Sequence, residues 1–311
     1  MKNVFRKFIG IPFLVMALIL SFAPGVVGAD PPPQYTFTTT NFPGSGNTWI
    51  WGMNDRADVV GFYRETTSQK SPAHGFFRVD GSFNSFDHDG VSSNTTVTNI
   101  SNSGKMIGDY NPQPFTGGYH WHGFEITKEG DVNSIDDPTQ ATTVPFHIMP
   151  DGTIIGHVQK DLADLTTRHG YIMSPDGSFE YSDIPYSQHN DATPNLKTIV
   201  GNYVTSDGIV HGYVLDNGEK TTLDFPGSIL TVTYDVNPAG NRVAGFYRNS
   251  TGFHGYVAEK QGAKGAWQFR AFDVPGAAMT WVTCGNAGGQ LAGAYFAGGR
   301  QYGFIATPLE D

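Results

Sequence analysis

Five histidines recur along the chain, each followed by glycine and an aromatic residue: His74-Gly75-Phe76, His122-Gly123-Phe124, His169-Gly170-Tyr171, His211-Gly212-Tyr213 and His254-Gly255-Tyr256. Imidazoles in one register could ligate a metal or move protons. An acidic series runs beside them: Asp87, Asp136, Asp183, Asp224 and Asp273, with Asn41 in the same position. A ring of carboxylates could hold Ca²⁺ through its oxygens, provided the side chains reach a common channel. The structural reading of both series is simpler. A residue that returns once per repeat is a building device, and a buried imidazole must find a hydrogen-bond partner. Asp or Asn two residues before proline, as at all these positions but Asp87, bonds its own backbone two residues on.

Residues outside the repeat pattern are better candidates for a site, because repeat scaffolds carry function in insertions and irregular units. Phe115, Tyr119, His120 and Trp121 lie in such an insertion, and Tyr186 and His189 lie in an irregular unit that also holds Asp191. His120 and His122 share a strand face and could begin a metal site, but no third ligand stands nearby. The aromatic content of 111–122 fits sugar stacking better. The stretch 157–168, with Lys160, Asp161, Asp164 and Arg168, reads as a solvated loop with a possible helical turn over 160–165. Of Trp49 and Trp51, one is expected in the core. Cys284 occupies a repeat position that is apolar elsewhere and reads as a packing residue. His-Glu-x-x-His, Cys-x-x-Cys, Gly-x-Ser-x-Gly and the phosphate-binding Gly-x4-Gly-Lys are all missing, so catalytic residues stay unassigned. Asn94, Asn99 and Asn249 begin glycosylation sequons, whose use depends on the secretory route.

The elements that position these residues follow from the repeat. The five triplets and a sixth, Tyr302-Gly303-Phe304, are spaced 48, 47, 42, 43 and 48 residues apart. Before each stands an apolar-Gly-x-Tyr motif, such as Val60-Gly61-Phe62-Tyr63 and Val200-Gly201-Asn202-Tyr203. Each unit offers four short strands. Asp80-Gly81, Glu129-Gly130, Asp176-Gly177 and Asn217-Gly218 join the third to the fourth, and such dipeptides suit type I′ hairpins. Glycine is one residue in eight, 39 of 311, against a usual ~7%, as many tight turns require. Four antiparallel strands per ~45 residues make the blade of a propeller. The pattern begins with a fourth-strand segment, 35–42, and ends with a third-strand segment, 302–305. An all-β, six-bladed propeller over 35–308 is therefore expected, its ring closed by pairing of the N-terminal strand with the last blade. A solenoid would need distinct capping repeats, and the end units look ordinary.

Residues 1–29 read as a signal peptide. Lys2, Arg6 and Lys7 precede an apolar run of 15 residues, too short to span a bilayer, and small residues favour cleavage after Ala29. Residues 30–34, with three prolines, are expected to be a disordered tail. The protein is then secreted or periplasmic, with no membrane span after cleavage. Loss of the leader's three cations leaves 16 Lys and Arg against 29 Asp and Glu, taking the formal charge from −10 to −13. That excludes nucleic acid as the main partner. A monomer is expected.

The units resemble those of the HAF repeat family of extracellular repeat proteins. The similarity runs from about Phe37 to Ile305 and is clearest in Leu223-Asp224-Phe225-Pro226-Gly227 with His254-Gly255-Tyr256. It is weakest in unit 4, where 186–197 loses the first-strand pattern; Val158 replaces the tyrosine of unit 3, and Tyr302 the histidine of unit 6. The resemblance implies export and a repeat architecture, and brings no catalytic residues. An exported binding or interaction module is the expected function, its partner an extracellular polysaccharide or a surface protein. The alternative is a propeller hydrolase or lyase acting on a sugar or lactone, with Ca²⁺ the one cofactor the acidic series admits.

Overall fold

The computed structural model describes residues 35–88, 94–112, 120–161, 164–262 and 265–309. The leader, the 30–34 tail and the candidates Phe115 and Tyr119 lie outside them. The alternating strand segments form six four-stranded antiparallel sheets. Blade 1 holds β2 (Asn47–Met53), β3 (Val59–Arg64), β4 (His74–Val79) and β5 (Ser82–Phe86). Blade 2 holds β6 (Asn94–Ile100), β7 (Met106–Asn111), β8 (His122–Ile126) and β9 (Val132–Ser134). Blade 3 holds β10 (Thr142–Ile148), β11 (Ile154–Gln159), β12 (Arg168–Met173) and β13 (Phe179–Tyr181). Blade 4 holds β14 (Ser187–Ala192), β15 (Thr198–Val204), β16 (Val210–Asp216) and β17 (Glu219–Leu223). Blade 5 holds β18 (Leu230–Val236), β19 (Arg242–Arg248), β20 (Phe253–Lys260) and β21 (Trp267–Ala271). Blade 6 takes β22 (Met279–Gly285), β23 (Leu291–Ala297) and β24 (Arg300–Pro308) from the end of the pattern. Its outer strand is β1 (Tyr35–Thr39), paired from Tyr35↔Pro308 to Thr39↔Phe304.

Packing lies between blades rather than within them, since a single sheet cannot bury its own face. Each of the six interfaces has an apolar cluster; Val200 and Leu223 of blade 4, for example, meet Val243 and Tyr256 of blade 5. The third residue of every triplet (Phe76, Phe124, Tyr171, Tyr213, Tyr256, Phe304) is fully buried, worth about 1.5–3 kcal/mol each. The glycines beside them are steric necessities. A Cβ on Gly201 would lie 2.0 Å from Gln188 O of the inner strand, and one on Gly212 2.5 Å from Thr233 Oγ1 of the next blade.

The crossings between blades explain two more repeated letters. Thr48, Thr95, Thr143, Thr231 and Thr280 begin the inner strands. Their hydroxyls accept the N–H of Phe42, His88, Asp137, Phe225 and Val274 at 3.0–3.3 Å. Phe42 and Phe225 then stack flat on the Gly-x-Tyr tyrosines, Tyr63 at 3.8 Å and Tyr247 at 3.7 Å.

Three local expectations are revised. Only Asp80-Gly81 and Asn217-Gly218 have both residues at positive φ, as type I′ requires. In Glu129-Gly130 and Asp176-Gly177 glycine alone is left-handed, because those loops are five residues long and close with a single left-handed residue. Unit 4 forms its inner strand despite the polar sequence Ser187–Ala192, with all six residues buried. Its polar groups are satisfied sideways: Gln188 Nε2 donates to Asn190 Oδ1 at 2.9 Å, and Asn190 Nδ2 to Asn202 Oδ1 at 3.1 Å and Thr233 O at 2.8 Å. The turn expected over 160–165 is one 3-10 turn at Leu165–Thr167. Among the described residues no helix is long and apolar enough to cross a membrane.

Candidate functional site

The repeat histidines and acids meet one another, blade by blade. Nδ1 lies 2.9 Å from Asp87 for His74, 2.8 Å from Asp136 for His122, 2.8 Å from Asp224 for His211 and 2.9 Å from Asp273 for His254. Each pair ties the start of the third strand to the end of the fourth, and the imidazole also stacks on the Gly-x-Tyr ring, as His254 does on Tyr247 at 5.3 Å. Units that depart from the motif substitute within the same device. His169 bonds Ser182 O at 3.0 Å in place of Asp183, Tyr302 stacks on Tyr295, and Asn41 Oδ1 accepts the N–H of Gly303 at 3.1 Å. The acidic series therefore does not converge on the channel as a Ca²⁺ ring would need. Among the described residues no three His, Cys, Asp or Glu side chains are grouped to hold a metal.

The axis is shaped by one irregularity repeated six times. Every inner strand carries a bulge, and its pairing skips Trp51, Thr98, Phe146, Asn190, Tyr234 or Thr283. A bulge re-aims one side chain and frees one ladder N–H. Blades 1, 3 and 5 place rings there, and these meet across the axis: Trp51–Tyr234 at 5.4 Å, Trp51–Phe146 and Phe146–Tyr234 at 6.4 Å. Blades 2, 4 and 6 place small polar groups that bind the next blade. Thr98 Oγ1 donates to Pro145 O, Asn190 Nδ2 to Thr233 O and Thr283 Oγ1 to Ile50 O, at 2.7–2.8 Å. The three rings separate two mouths.

The mouth where the inner strands end is a funnel of about 350 Å³. One residue beyond the bulge, blades 3, 4 and 5 bring His147, Asp191 and Asp235 to it, where blades 1, 2 and 6 have Gly52, Asn99 and Cys284. His147 Nδ1 lies 2.9 Å from Asp191 Oδ1. Burial works against the imidazolium, but the charge and hydrogen bond of Asp191 outweigh it and raise the His147 pKa. Burial, and then the charge of Asp191, hold Asp235 well above the usual carboxylate range; Arg242, the Gly285 N–H and His147 only moderate the rise. Asp191→Asn should therefore lower the pKa of Asp235 without restoring its usual value, as a ¹³C NMR titration of the carboxyl would report. Both carboxylates already have structural work. Asp191 Oδ2 accepts the N–H of Val236 at 2.8 Å, and Asp235 that of Gly285, each from the next blade. Cys284 is buried beside them, and burial pushes its thiol up.

The opposite mouth differs. Between blades 1, 2 and 3 it opens a recess of about 350 Å³ walled by Trp51, Phe62, Trp121 and Phe146, with Asp109, His157, Arg64 and Asn94 among the polar groups. Both Trp49 and Trp51 lie half-buried on this channel side rather than one in the core, since residues two apart share a strand face. They continue a run of ring contacts through Trp281, Phe253 and Phe246 to Tyr234. Asp109 is only 6% exposed, yet among the described residues its carboxyl has no hydrogen bond and no ion pair, and burial alone pushes it up to about 8. His157 has a buried Nδ1 without a partner; burial and the charge of Arg168 push it down to about 3. Nearly all buried polar groups in proteins are paired. The funnel's acids are explained by the fold; Asp109 is not.

Of the residues singled out from sequence, Trp121 lines the recess, and His120 is exposed with Nδ1 3.3 Å from Ala141 O. Tyr186 lies under the guanidinium of Arg168 at 5.0 Å. His189 turns away from the axis. It is 2% exposed, lies against Gly170 of the preceding blade and is bonded to Tyr213 OH at 2.5 Å, with burial pushing its pKa down to about 4. Asp109 was missed, although the Gly-x-Tyr column (Phe62, Asp109, His157, Asn202, Phe246, Ala294) holds one acid.

No family model matches the chain, and no curated protein matches it. Solved structures do, at low identity. TolB from Acinetobacter baumannii aligns with a TM-score of 0.51 and 12% identity over 73% of this chain, which spans 54% of that protein. Putative TolB from Agrobacterium tumefaciens gives 0.51 and 10% over 88% of this chain and 91% of its own. The propeller domain of the Trilobed protease from Pyrococcus furiosus gives 0.50 and 10% over 85% and 86%. Identities this low speak to fold alone, and the fold the chain shares with these proteins is the β-propeller.

Proposed function

We propose that this chain is an exported saccharide-binding propeller of the HAF repeat kind, and that the aromatic recess between blades 1, 2 and 3 is its binding site. The observation that carries the reading is Asp109. A buried carboxyl without a partner is costly, and a ligand hydroxyl entering the recess supplies what it lacks. The walls fit the rest of a sugar. The C–H faces of a pyranose are apolar and lie against the rings of Trp51 and Trp121, while Asn94 and Asp109 meet its hydroxyls. The aromatic insertion 111–122 borders the recess through Trp121. Export rests on the leader-like residues 1–29, and a place outside the cell suits a polysaccharide ligand.

A glycan array tests this. Wild-type protein should bind a subset of oligosaccharides, and Trp121→Ala should weaken that binding by about 2 kcal/mol, roughly 30-fold. Its melting temperature should stay near the wild-type value, because Trp121 is only half-buried. An array on which the wild-type protein binds nothing would remove the proposal, and a pull-down that then captured a surface protein would favour the interaction-module reading.

A second reading has one observation of its own. His147 paired to Asp191, beside the raised carboxyl of Asp235, sets a base next to an acid in the funnel. That would serve a hydrolase or lyase acting on a sugar or lactone, and turnover abolished by Asp235→Asn with folding intact would establish it.

A further inference from the structure

We infer that the recess is built for an acidic saccharide, a unit carrying a carboxylate such as a hexuronate, whose anion is met by Arg64. The inference rests on the saccharide-binding reading above and adds the charge of the ligand.

Arg64 lines the recess and reaches it over the ring of Phe62, with Cζ 5.4 Å from the ring centre. Its guanidinium makes one hydrogen bond, from Nη1 to Ser71 O, and Nε is buried with no partner. Among the described residues no carboxylate lies within ion-pair distance of it. Lys105 pairs with Glu125 at 2.8 Å, Lys260 with Asp216 at 2.9 Å and Arg56 with Asp58 at 2.8 Å; what sets Arg64 apart is that its guanidinium stands in the wall of a recess. A second guanidinium stands behind the recess. Among the described residues Arg168 makes no ion pair and no side-chain hydrogen bond; it rests over Tyr186 and is near enough to hold down the charge of His157. The recess thus presents one guanidinium, Arg64, with a second, Arg168, close behind His157.

Asp109 does not neutralise them. Burial keeps its carboxyl protonated at neutral pH, so it offers an O–H to a ligand rather than a negative charge. A neutral sugar would satisfy Asp109 and leave Arg64 unpaired. A carboxylate satisfies both, because a guanidinium fork and a carboxylate match in plane and spacing. The acidic remainder of the chain repels long polyanions, which favours a terminal or isolated uronate.

The test is titration calorimetry with two oligosaccharides that differ only in a terminal glucuronate or glucose. The uronate should bind at least ten times more tightly. Arg64→Gln should bring the two to within about twofold, and Arg64→Lys should keep part of the preference. Raising NaCl from about 0.05 to 0.5 M should weaken the uronate alone, a readout that needs no variant. Equal binding of the two sugars, or a preference that survives in Arg64→Gln, overturns this inference and leaves the saccharide site standing. Binding of neither removes the site itself.

Discussion

Asp109→Asn should make the protein more stable at pH 8. The sign follows from linkage. Asp109 titrates at about 8 when folded and at an ordinary 3.8 when unfolded. Below pH 4 both states are protonated and the residue is neutral to stability. Between about 4 and 8 the unfolded chain releases its proton while the folded one retains it, so stability falls as pH rises, and the full cost is reached above 8. Four pKa units at ~1.4 kcal/mol each would be ~5–6 kcal/mol, and water entering the recess reduces this to about 2–4 kcal/mol. Asparagine has the same size and never ionises. The melting temperatures of variant and wild type should coincide near pH 4 and separate by several degrees at pH 8. A difference that did not grow with pH would show that Asp109 is not the buried, partnerless acid described here. A residue that lowers stability is a usual mark of a functional position.

Removing residues 1–40, and β1 with them, should unlock the ring. β24 would lose five paired residues on its outer edge, together with the bond from Thr40 N–H to Gly303 O at 2.9 Å. Tyr35 would leave its edge-on contact with Phe272 at 4.9 Å, and Phe37 its contacts with Phe272 and Phe304. These two side chains alone are worth about 3 kcal/mol, and the bared strand is a template for self-association. We expect a fall of roughly 10 °C or more in melting temperature and a shift to dimers or aggregates by size exclusion. A synthetic peptide of residues 33–42 should bind in trans and restore the monomer. A truncated protein that melted like the intact one would show that β1 closes nothing.

The architecture was readable in the linear chain because each blade is made with the same short-range devices. Gly61 and Gly201 recur because an inner-strand carbonyl stands where a side chain would begin, and His254 recurs with Asp273 because one holds the other. Such constraints act within a unit or between adjacent units, so they repeat at the period of the fold. Departures stayed legible for the same reason: Asn41 and Tyr302 occupy the positions of Asp and His and retain part of their bonding. Unit 4 was harder to read, since polarity at 187–192 breaks the apolar alternation and is satisfied by groups on other strands, among them the Asn202 side chain of β15, the Tyr213 hydroxyl of β16 and the Thr233 carbonyl of β18.

The candidate sites belong to a different scale. His147, Asp191 and Asp235 occupy one ordinary position of three units, 44 residues apart, and become neighbours because bulged strands converge on an axis. Asp109 stands at an unremarked place in the Gly-x-Tyr motif, and what distinguishes it is that none of the described residues bonds its carboxyl. Residue types and spacing determined the number of blades, where their turns fall and the strand that closes them, since these depend on local sterics and on contacts repeated at a fixed interval. Which polar groups were left buried without a partner was decided only in the closed ring, because the want of a partner depends on everything that folds around a residue.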